Sequence, residues 1–331
     1  MIGERYQHSG CGGPIGLKTQ GLCQFNLLAS GVRSTCDNQS PLTSHFSLKI
    51  VTVLELIQNT TAFFQRKGVE SPRLSIEHLL AEALGKRRLD LYLDYDQGLP
   101  EQILEPLRDK VRRRSEGEPL QHLLGSWEFY GRRFKTDRRA LIPRPETERL
   151  AELALSQIPV ATSAGTRLVD VGTGSGVLAI TLALERPGLE ILATDISADT
   201  LALAQDNAVM HGVNEQIKWL QTDLLAGVDT DLDFLVANLP YIPTAEIGKL
   251  SREVQHDPRM ALDGGEDGLN VIRRLITETP SHLKPGACIL LEIGVSQASH
   301  VANVLEQQKF RDICVEKDYQ GIERFVSAKY G

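Results

Sequence analysis

From Arg167 onwards, short apolar runs of β-forming residues alternate with stretches of helical periodicity. That alternation restricts the chain to an open, largely parallel sheet covered by helices on both faces. The runs occupy residues 168–171, 191–194, 217–220 and 234–237, with helices expected from about Gly176 and Ala198. Further on, the pattern predicts a helix over 269–283, a strand over 288–292, a helix from Gln297 and closing strands over 313–316 and 324–327. Two closing strands joined by a short turn cannot be parallel neighbours. The expected fold class is therefore α/β, a seven-stranded, mostly parallel sheet with an antiparallel final strand.

In front of the sheet, residues 49–120 read as a small helical bundle. A first helical segment ends at Gly68, and a second starts at Ser71, as N-cap, with Pro72 in its first turn. Ile76, Leu79, Leu80 and Ala83 keep helical spacing until Gly85, and a third helix spans about 100–116. Trp127-Glu-Phe-Tyr-Gly131 followed by residues 132–136 reads as a β-hairpin, so residues 121–140 are expected to link the bundle to a catalytic domain over 141–331. Residues 1–48 mix Gly, Ser, Gln, Asn and Cys without periodicity and read as a poorly ordered extension. An organelle transit peptide is the alternative, for which Arg5, Lys18 and Arg33 are few; a translation start near Val51 is another.

Composition narrows the function. No run of about eighteen apolar residues occurs and the start lacks a secretory layout, so a cytoplasmic protein with no membrane partner is expected. The five cysteines, at 11, 23, 36, 288 and 314, form no CxxC pair, and His78, His122, His256, His282 and His300 show no ligand spacing. Neither group predicts a metal site. Residues 49–149 carry 19 basic against 16 acidic side chains, a balance of +3, whereas residues 150–331 carry 14 against 25, a balance of −11. An acidic catalytic half argues against stable nucleic-acid binding and for a protein substrate, met by a monomer. Arg112-Arg-Arg114 reads as a solvated helix face beside Glu116 and Glu118.

Leu168-Val-Asp-Val-Gly-Thr-Gly-Ser-Gly176 places Gly172, Gly174 and Gly176 between a strand and a helix, where glycine lets the backbone turn sharply and approach a ligand. The spacing is GxGxG rather than the GxGxxG of dinucleotide sites, and Asp170 sits inside the strand end. Asp195 closes the next strand, where a carboxylate can accept both hydroxyls of a ribose. A ligand with a ribose and a cationic end suits these groups better than a pyrophosphate. The segment resembles the first motif of the class I S-adenosylmethionine-dependent methyltransferases, Asp170 to Gly176, with Asp195 at that family's second acidic position. The resemblance implies that Gly172, Thr173, Gly174, Ser175 and Gly176 bind the methionine end of the cofactor, and that Asp223 and Leu224 flank its adenine.

Phe234-Leu-Val-Ala-Asn-Leu-Pro-Tyr241 puts Asn238 at the end of the fourth strand, the edge where open α/β sheets bind ligands. Methyl transfer to a planar nitrogen requires its delocalised lone pair to be freed as positive charge develops. Two fixed acceptors aimed at its N–H groups, the Asn238 side-chain oxygen and the Leu239 carbonyl, would stabilise that charge and aim the lone pair. Pro240 biases Leu239 to an extended conformation, and Tyr241 offers a wall for a flat group. The motif resembles the Asn-Pro-Pro-Tyr of methyltransferases acting on glutamine amides or on exocyclic adenine and cytosine nitrogens, with Leu239 replacing the first proline. The backbone carbonyl survives that change.

Leu141-Ile-Pro-Arg-Pro-Glu-Thr-Glu148, Glu118-Pro-Leu-Gln-His-Leu-Leu-Gly125, the Trp127 hairpin, Ser71-Pro-Arg-Leu74 and Glu292-Ile-Gly294 together resemble the release factor glutamine methyltransferase family over about residues 50 to 331. Pro143 and Pro145 bracket Arg144 rigidly, with Glu146 and Glu148 in a first helical turn; this segment either caps a helix or helps to close the cofactor pocket. The resemblance implies a substrate glutamine in a Gly-Gly-Gln loop of peptide chain release factors, inserted between the core and a front domain that docks it. The alternatives are a ribosomal-protein glutamine, an adenine amino group of RNA or DNA, and a binding module without turnover.

Overall fold

The computed structural model describes residues 51–160, 165–228 and 231–331, so the extension expected over 1–48 lies outside the described residues. Helix α1 (Val53–Lys67) begins at a reciprocal cap: the Thr52 hydroxyl accepts from Glu55 N at 3.2 Å, and the Glu55 carboxylate accepts from Thr52 N at 3.1 Å. Helix α2 (Pro72–Leu84) starts where expected, with Ser71 at its N-cap and Pro72 in its first turn. Ser71 lies in the left-handed region at φ 45°; its carbonyl accepts from Ser75 N at 2.9 Å, while its side chain makes no capping hydrogen bond. With α3 (Glu101–Ser115) and α4 (Leu120–Leu124), these helices enclose a core that includes Phe64, Ile76, Leu79, Leu80 and Leu107.

Strands β1 (Ser126–Phe129) and β2 (Arg132–Lys135) form the hairpin, turning at Tyr130 and Gly131. Both turn residues have positive φ, 50° and 68°, the geometry whose twist matches that of the flanking strands. Phe129 and Phe134 meet edge to face at 6.0 Å and join the core of the larger sheet rather than that of the bundle. Lys135 N also donates to the Asn207 side chain at 2.7 Å, so the hairpin is pinned to the catalytic half.

Helix α5 (Pro145–Gln157) leads into the main sheet, whose elements in chain order are β3 (Arg167–Val171), α6 (Val177–Glu185), β4 (Glu190–Asp195), α7 (Ala198–Met210), β5 (Ile217–Gln221), β6 (Leu232–Asn238), α8 (Thr244–Ile247), α9 (Asn270–Glu278), β7 (Leu283–Glu292), α10 (Ala298–Gln307), β8 (Phe310–Lys317) and β9 (Glu323–Tyr330). The seven strands lie in the order β5-β4-β3-β6-β7-β9-β8. All neighbouring pairs are parallel except those of β9, which runs antiparallel between β7 and β8. The closing hairpin thus folds back so that its last strand is inserted one place in from the edge. The helix expected over 269–283 is shorter: it stops at Glu278, Thr279–Ser281 form a tight turn around Pro280, and Leu283 already belongs to β7. Proline cannot continue the helical hydrogen bonding and forces that early exit.

One apolar layer packs α5, α6 and the hairpin phenylalanines on one face of the sheet, and a second packs α9 and α10 on the other. No helix among the described residues is long and apolar enough to cross a membrane. Arg114 departs from the solvated face expected for its arginine triplet. Only 3% exposed, it donates to Glu253 at 2.5 Å, to the Glu118 carbonyl at 3.1 Å and to Ser75 Oγ at 3.3 Å, because it lies on the inner side of α3, while Arg112 pairs with Asp109 and Glu116 on the outer side. Since Phe134 is fully buried at the seam between hairpin and sheet, Phe134→Ala should destabilise the protein by about 3–5 kcal/mol in denaturant titration. A change below about 1 kcal/mol would show the hairpin to be a loose appendage.

Candidate active site

Strand order reverses at β3 and β6: β4 and β5 lie on one side of this pair, and β7, β9 and β8 on the other. At such a switch point the connections leave toward opposite faces and open a crevice at the carboxyl ends of the strands. The glycine loop follows β3 and the Asn-Leu-Pro-Tyr segment ends β6, so both sequence motifs face that crevice as neighbours. Val171 pairs with Ala237 in the parallel ladder, and a side chain built on Gly172 would meet Leu239 Cδ2 at 2.8 Å. The two motifs are packed against each other with no room for a methyl group between them.

Local chemistry explains the loop. Gly172, Gly174 and Gly176 adopt φ of 71°, 58° and 82°, a region costly for residues with a Cβ. Gly172 N and Thr173 N both donate to the Thr194 carbonyl at 2.9 Å, which turns the chain back across β4. Gly174 N donates to Asp195 Oδ2 at 3.1 Å, and Ser197 N to Asp195 Oδ1 at 3.0 Å. Asp195 is thereby oriented by backbone donors, while burial raises its pKa. Asp170 is fully buried: its Oδ2 accepts from the Thr173 hydroxyl at 2.7 Å and from Ala179 N at 3.2 Å, and its Oδ1 has no partner. Burial pushes this carboxyl up to about 7. Ser175 and Gly176 complete the turn, Ser175 giving its carbonyl to the Asn207 amide at 2.9 Å.

A cavity of about 280 Å³ occupies the crevice. Gly172, Thr173, Gly174 and Ser175 line one side, followed by Asp195, Ile196, Thr222, Asp223 and Leu224, then Asn238, Leu239 and Pro240. Residues 139–144 and Pro258, Met260 and Ala261 close the far side. Leu224 is held at φ 55°, a strained conformation for a branched residue and one found most often at ligand sites. Asp223 accepts from Arg274 at 2.8 Å, and Arg144 donates to the buried Asp257 at 2.6 Å. Each arginine of the cavity therefore has an acidic partner, Arg139 pairing with Asp137 and Asp206. Among the described residues, Asp170 and Asp195 have no cationic partner in an ion pair. A cation-bearing ligand fits this donor set: it would offset the charge of half-buried Asp195 on the cavity wall and of buried Asp170 behind the loop, whose Oδ1 has no partner, and the nearest atom to a Cβ on Gly174 is 4.0 Å away, which leaves space above the loop.

The Asn-Leu-Pro-Tyr segment divides two spaces. Asn238, Leu239 and Pro240 line the first cavity, whereas Tyr241 lines a second of about 400 Å³ with Gln297, His300 and Arg324. Tyr241, expected to offer a wall for a flat group, lines this second cavity, and its hydroxyl donates to Glu292 Oε1 at 3.4 Å. Asn238 Nδ2 donates to Thr147 Oγ1 at 2.9 Å, and the Thr147 hydroxyl donates to Glu292 Oε2 at 2.8 Å. Among the described residues, neither the Asn238 side-chain oxygen nor the Leu239 carbonyl has a hydrogen-bond donor. Thr147, Glu292, Arg274 and Met260 were not singled out from the sequence as site residues. Thr147 and Glu292 lay inside quoted motifs, but their contact spans 145 residues, and nothing in the sequence signals Arg274 or Met260. No group of three His, Cys, Asp or Glu side chains suited to a metal stands together among the described residues.

Residues 55–125 match the PrmC N-terminal domain and residues 147–262 the methyltransferase small domain. A release factor glutamine methyltransferase of Chlorobaculum tepidum is 40% identical across 84% of this chain and 97% of its own length. One from Geobacter sulfurreducens is 37% identical across 86% and 98%. The solved catalytic domain of hMettl16, in complex with an RNA hairpin, superposes with a TM-score of 0.50 at 15% identity, covering 69% of this chain and 82% of that one, a likeness of fold alone. With relatives matched almost end to end, both halves recognised and the two loops meeting at one switch point, the chain belongs to the release factor glutamine methyltransferase family.

Proposed function

We propose that this protein transfers a methyl group from S-adenosylmethionine to the side-chain amide nitrogen of the glutamine in the Gly-Gly-Gln loop of peptide chain release factors. It does so as a cytoplasmic monomer with no stable nucleic-acid partner. The observation that carries the reading is the pair of acceptors, Asn238 Oδ1 and the Leu239 carbonyl, held at the end of β6 against the glycine loop and bonded to no donor among the described residues. The names of the most similar relatives and the acidic balance of residues 150–331 support a protein substrate.

The cofactor, when bound, supplies an electrophilic methyl on a sulfonium sulfur. Residues Gly172 to Gly176 would hold its methionine end, with Asp170 supplying a buried negative charge close to that loop. Asp195 would accept the ribose hydroxyls, and Asp223, Leu224 and Ile196 would border the adenine. Asn238 and Leu239 then accept the two N–H groups of the glutamine carboxamide, which orients the nitrogen lone pair and stabilises positive charge as it develops. The nitrogen needs no strong base, because alkylation makes its remaining protons acidic enough to pass to water. Pro240 keeps Leu239 extended so that its carbonyl stays turned to the substrate. The bundle over 49–120 serves as the docking surface, and Arg114 ties it to the catalytic half through Glu253.

Radiolabelled methyl transfer to purified release factor should require the loop glutamine and give no label on bare RNA. Asn238→Ala should lower kcat by about 10²–10³-fold while cofactor Kd changes little; full activity in that variant would remove the acceptor role. A second expectation follows from Asp170. Its ionised form favours a cationic ligand, so cofactor affinity should weaken on the acid side of about pH 7, by up to about tenfold per pH unit, and release fewer protons above it. Calorimetry across that range checks this, and Asp170→Asn should flatten the dependence. The same burial makes the ionised free protein less stable. The folded pKa lies above the unfolded one, so the group's stabilisation is complete below the unfolded value and lost as pH rises through about 7.

A further inference from the structure

Asn238 matters only if its carboxamide points the right way. The oxygen and the NH₂ have nearly the same shape, so a half-turn about the last side-chain bond would replace the acceptor by a donor and repel the substrate amide. Something must choose between the two. The sheet offers a chain of contacts: Asn238 Nδ2 to Thr147 Oγ1 at 2.9 Å, Thr147 Oγ1 to Glu292 Oε2 at 2.8 Å, and the Tyr241 hydroxyl to Glu292 Oε1 at 3.4 Å. Thr147 is 4% exposed and Glu292 1%, so water does not compete for these bonds. Asn238 and Glu292 are also register partners across β6 and β7, which fixes their spacing through the backbone.

A hydroxyl has one proton. If Thr147 gives it to a carboxylate, which can only accept, Thr147 must receive from Asn238, and the group facing it is the NH₂. We propose that Thr147 and Glu292 are positioning residues that lock the Asn238 carboxamide with its oxygen toward the methyl-accepting nitrogen. This deepens the glutamine-transfer reading and rests on it.

The lock depends on charge. Glu292 faces Thr147, Tyr241, Glu146 and Arg324; burial and Glu146 raise its pKa, and the two hydroxyl donors and Arg324 hold it down, to about 7. Once protonated on the Thr147 side, Glu292 becomes a donor, Thr147 is free to turn its proton on Asn238, and two donors then meet. The wild-type rate at saturating cofactor therefore falls as pH drops from about 8 to about 6.

The test measures methylation of intact release factor by the full chain. Thr147→Val, equal in shape but without the hydroxyl, should lower kcat by about 10–100-fold with KM and cofactor Kd within about threefold. Thr147→Ser should restore most of the rate, a recovery that a purely packing role would not give. Glu292→Gln retains an acceptor oxygen for Thr147 without a titrating proton, and should remove the acid limb of the kcat profile. A Thr147→Val enzyme as fast as wild type, a Thr147→Ser enzyme no faster than Thr147→Val, or an acid limb unchanged in Glu292→Gln would each overturn the proposal while the functional reading stands. If Thr147→Val fails to fold, the serine and glutamine variants decide the matter. Wild-type protein that leaves the release factor unlabelled overturns the functional reading and the proposal together.

Discussion

The parallel pairing of β3 with β6 is the constraint on which the rest of the molecule depends. It sets Val171 beside Ala237, so that the residues leaving the two strand ends, Gly172 and Asn238, emerge side by side. The sheet grows outward in opposite directions from this pair, which opens a crevice at its carboxyl end. The approach is close enough for Leu239 to fill the space that any side chain at 172 would need, since a Cβ there would lie 2.8 Å from Leu239 Cδ2. A loop suited to the donor and a strand end suited to the acceptor are thus one packed unit, and neither can shift without the other.

The electrostatics of the crevice follow from burial. Arg139, Arg144 and Arg274 all reach it, and each is matched by aspartate: Asp137 with Asp206, Asp257, and Asp223. What remains is a surplus of negative charge at Asp170, in the core, and Asp195, half-buried on the cavity wall, held by backbone and hydroxyl donors rather than by cations. Partial or full removal from water without a counter-ion disfavours the charged form, which is why both pKa values rise. A ligand bringing positive charge relieves that cost, so part of its affinity is already stored in the fold.

Two ion pairs fasten the segment that closes the cavity. Asp257, its side chain fully buried, accepts from Arg144 and from Ile142 N, and Glu253 accepts from the buried Arg114 of the front bundle. Both acids lie between β6 and α9, next to Pro258, Met260 and Ala261 of the cavity wall. The bundle and the segment over 141–148 therefore bear on the same stretch of chain. Removing Arg144 would leave Asp257 buried without its cation, and removing Glu253 would leave Arg114 buried without its carboxylate, which makes these contacts strong determinants of where that wall sits.

Much of this was legible in the sequence because it rests on local rules. Alternating periodicity determined the α/β class, glycine spacing the sharp turn after β3, and the order of apolar runs the seven strands and their antiparallel close. Where a local signal misled, a nearby competitor had won: Pro280 ended a helix expected to reach Leu283. What the sequence could not decide was which distant side chains would share a hydrogen bond. The partnership of Thr147 with Glu292 spans 145 residues, the burial of Arg114 beside Glu253 spans 139, and the contact of the Tyr241 hydroxyl with Glu292 spans 51. Periodicity determines which face of an element is buried; only closure of the sheet, with the helices packed on it, determines what that face meets.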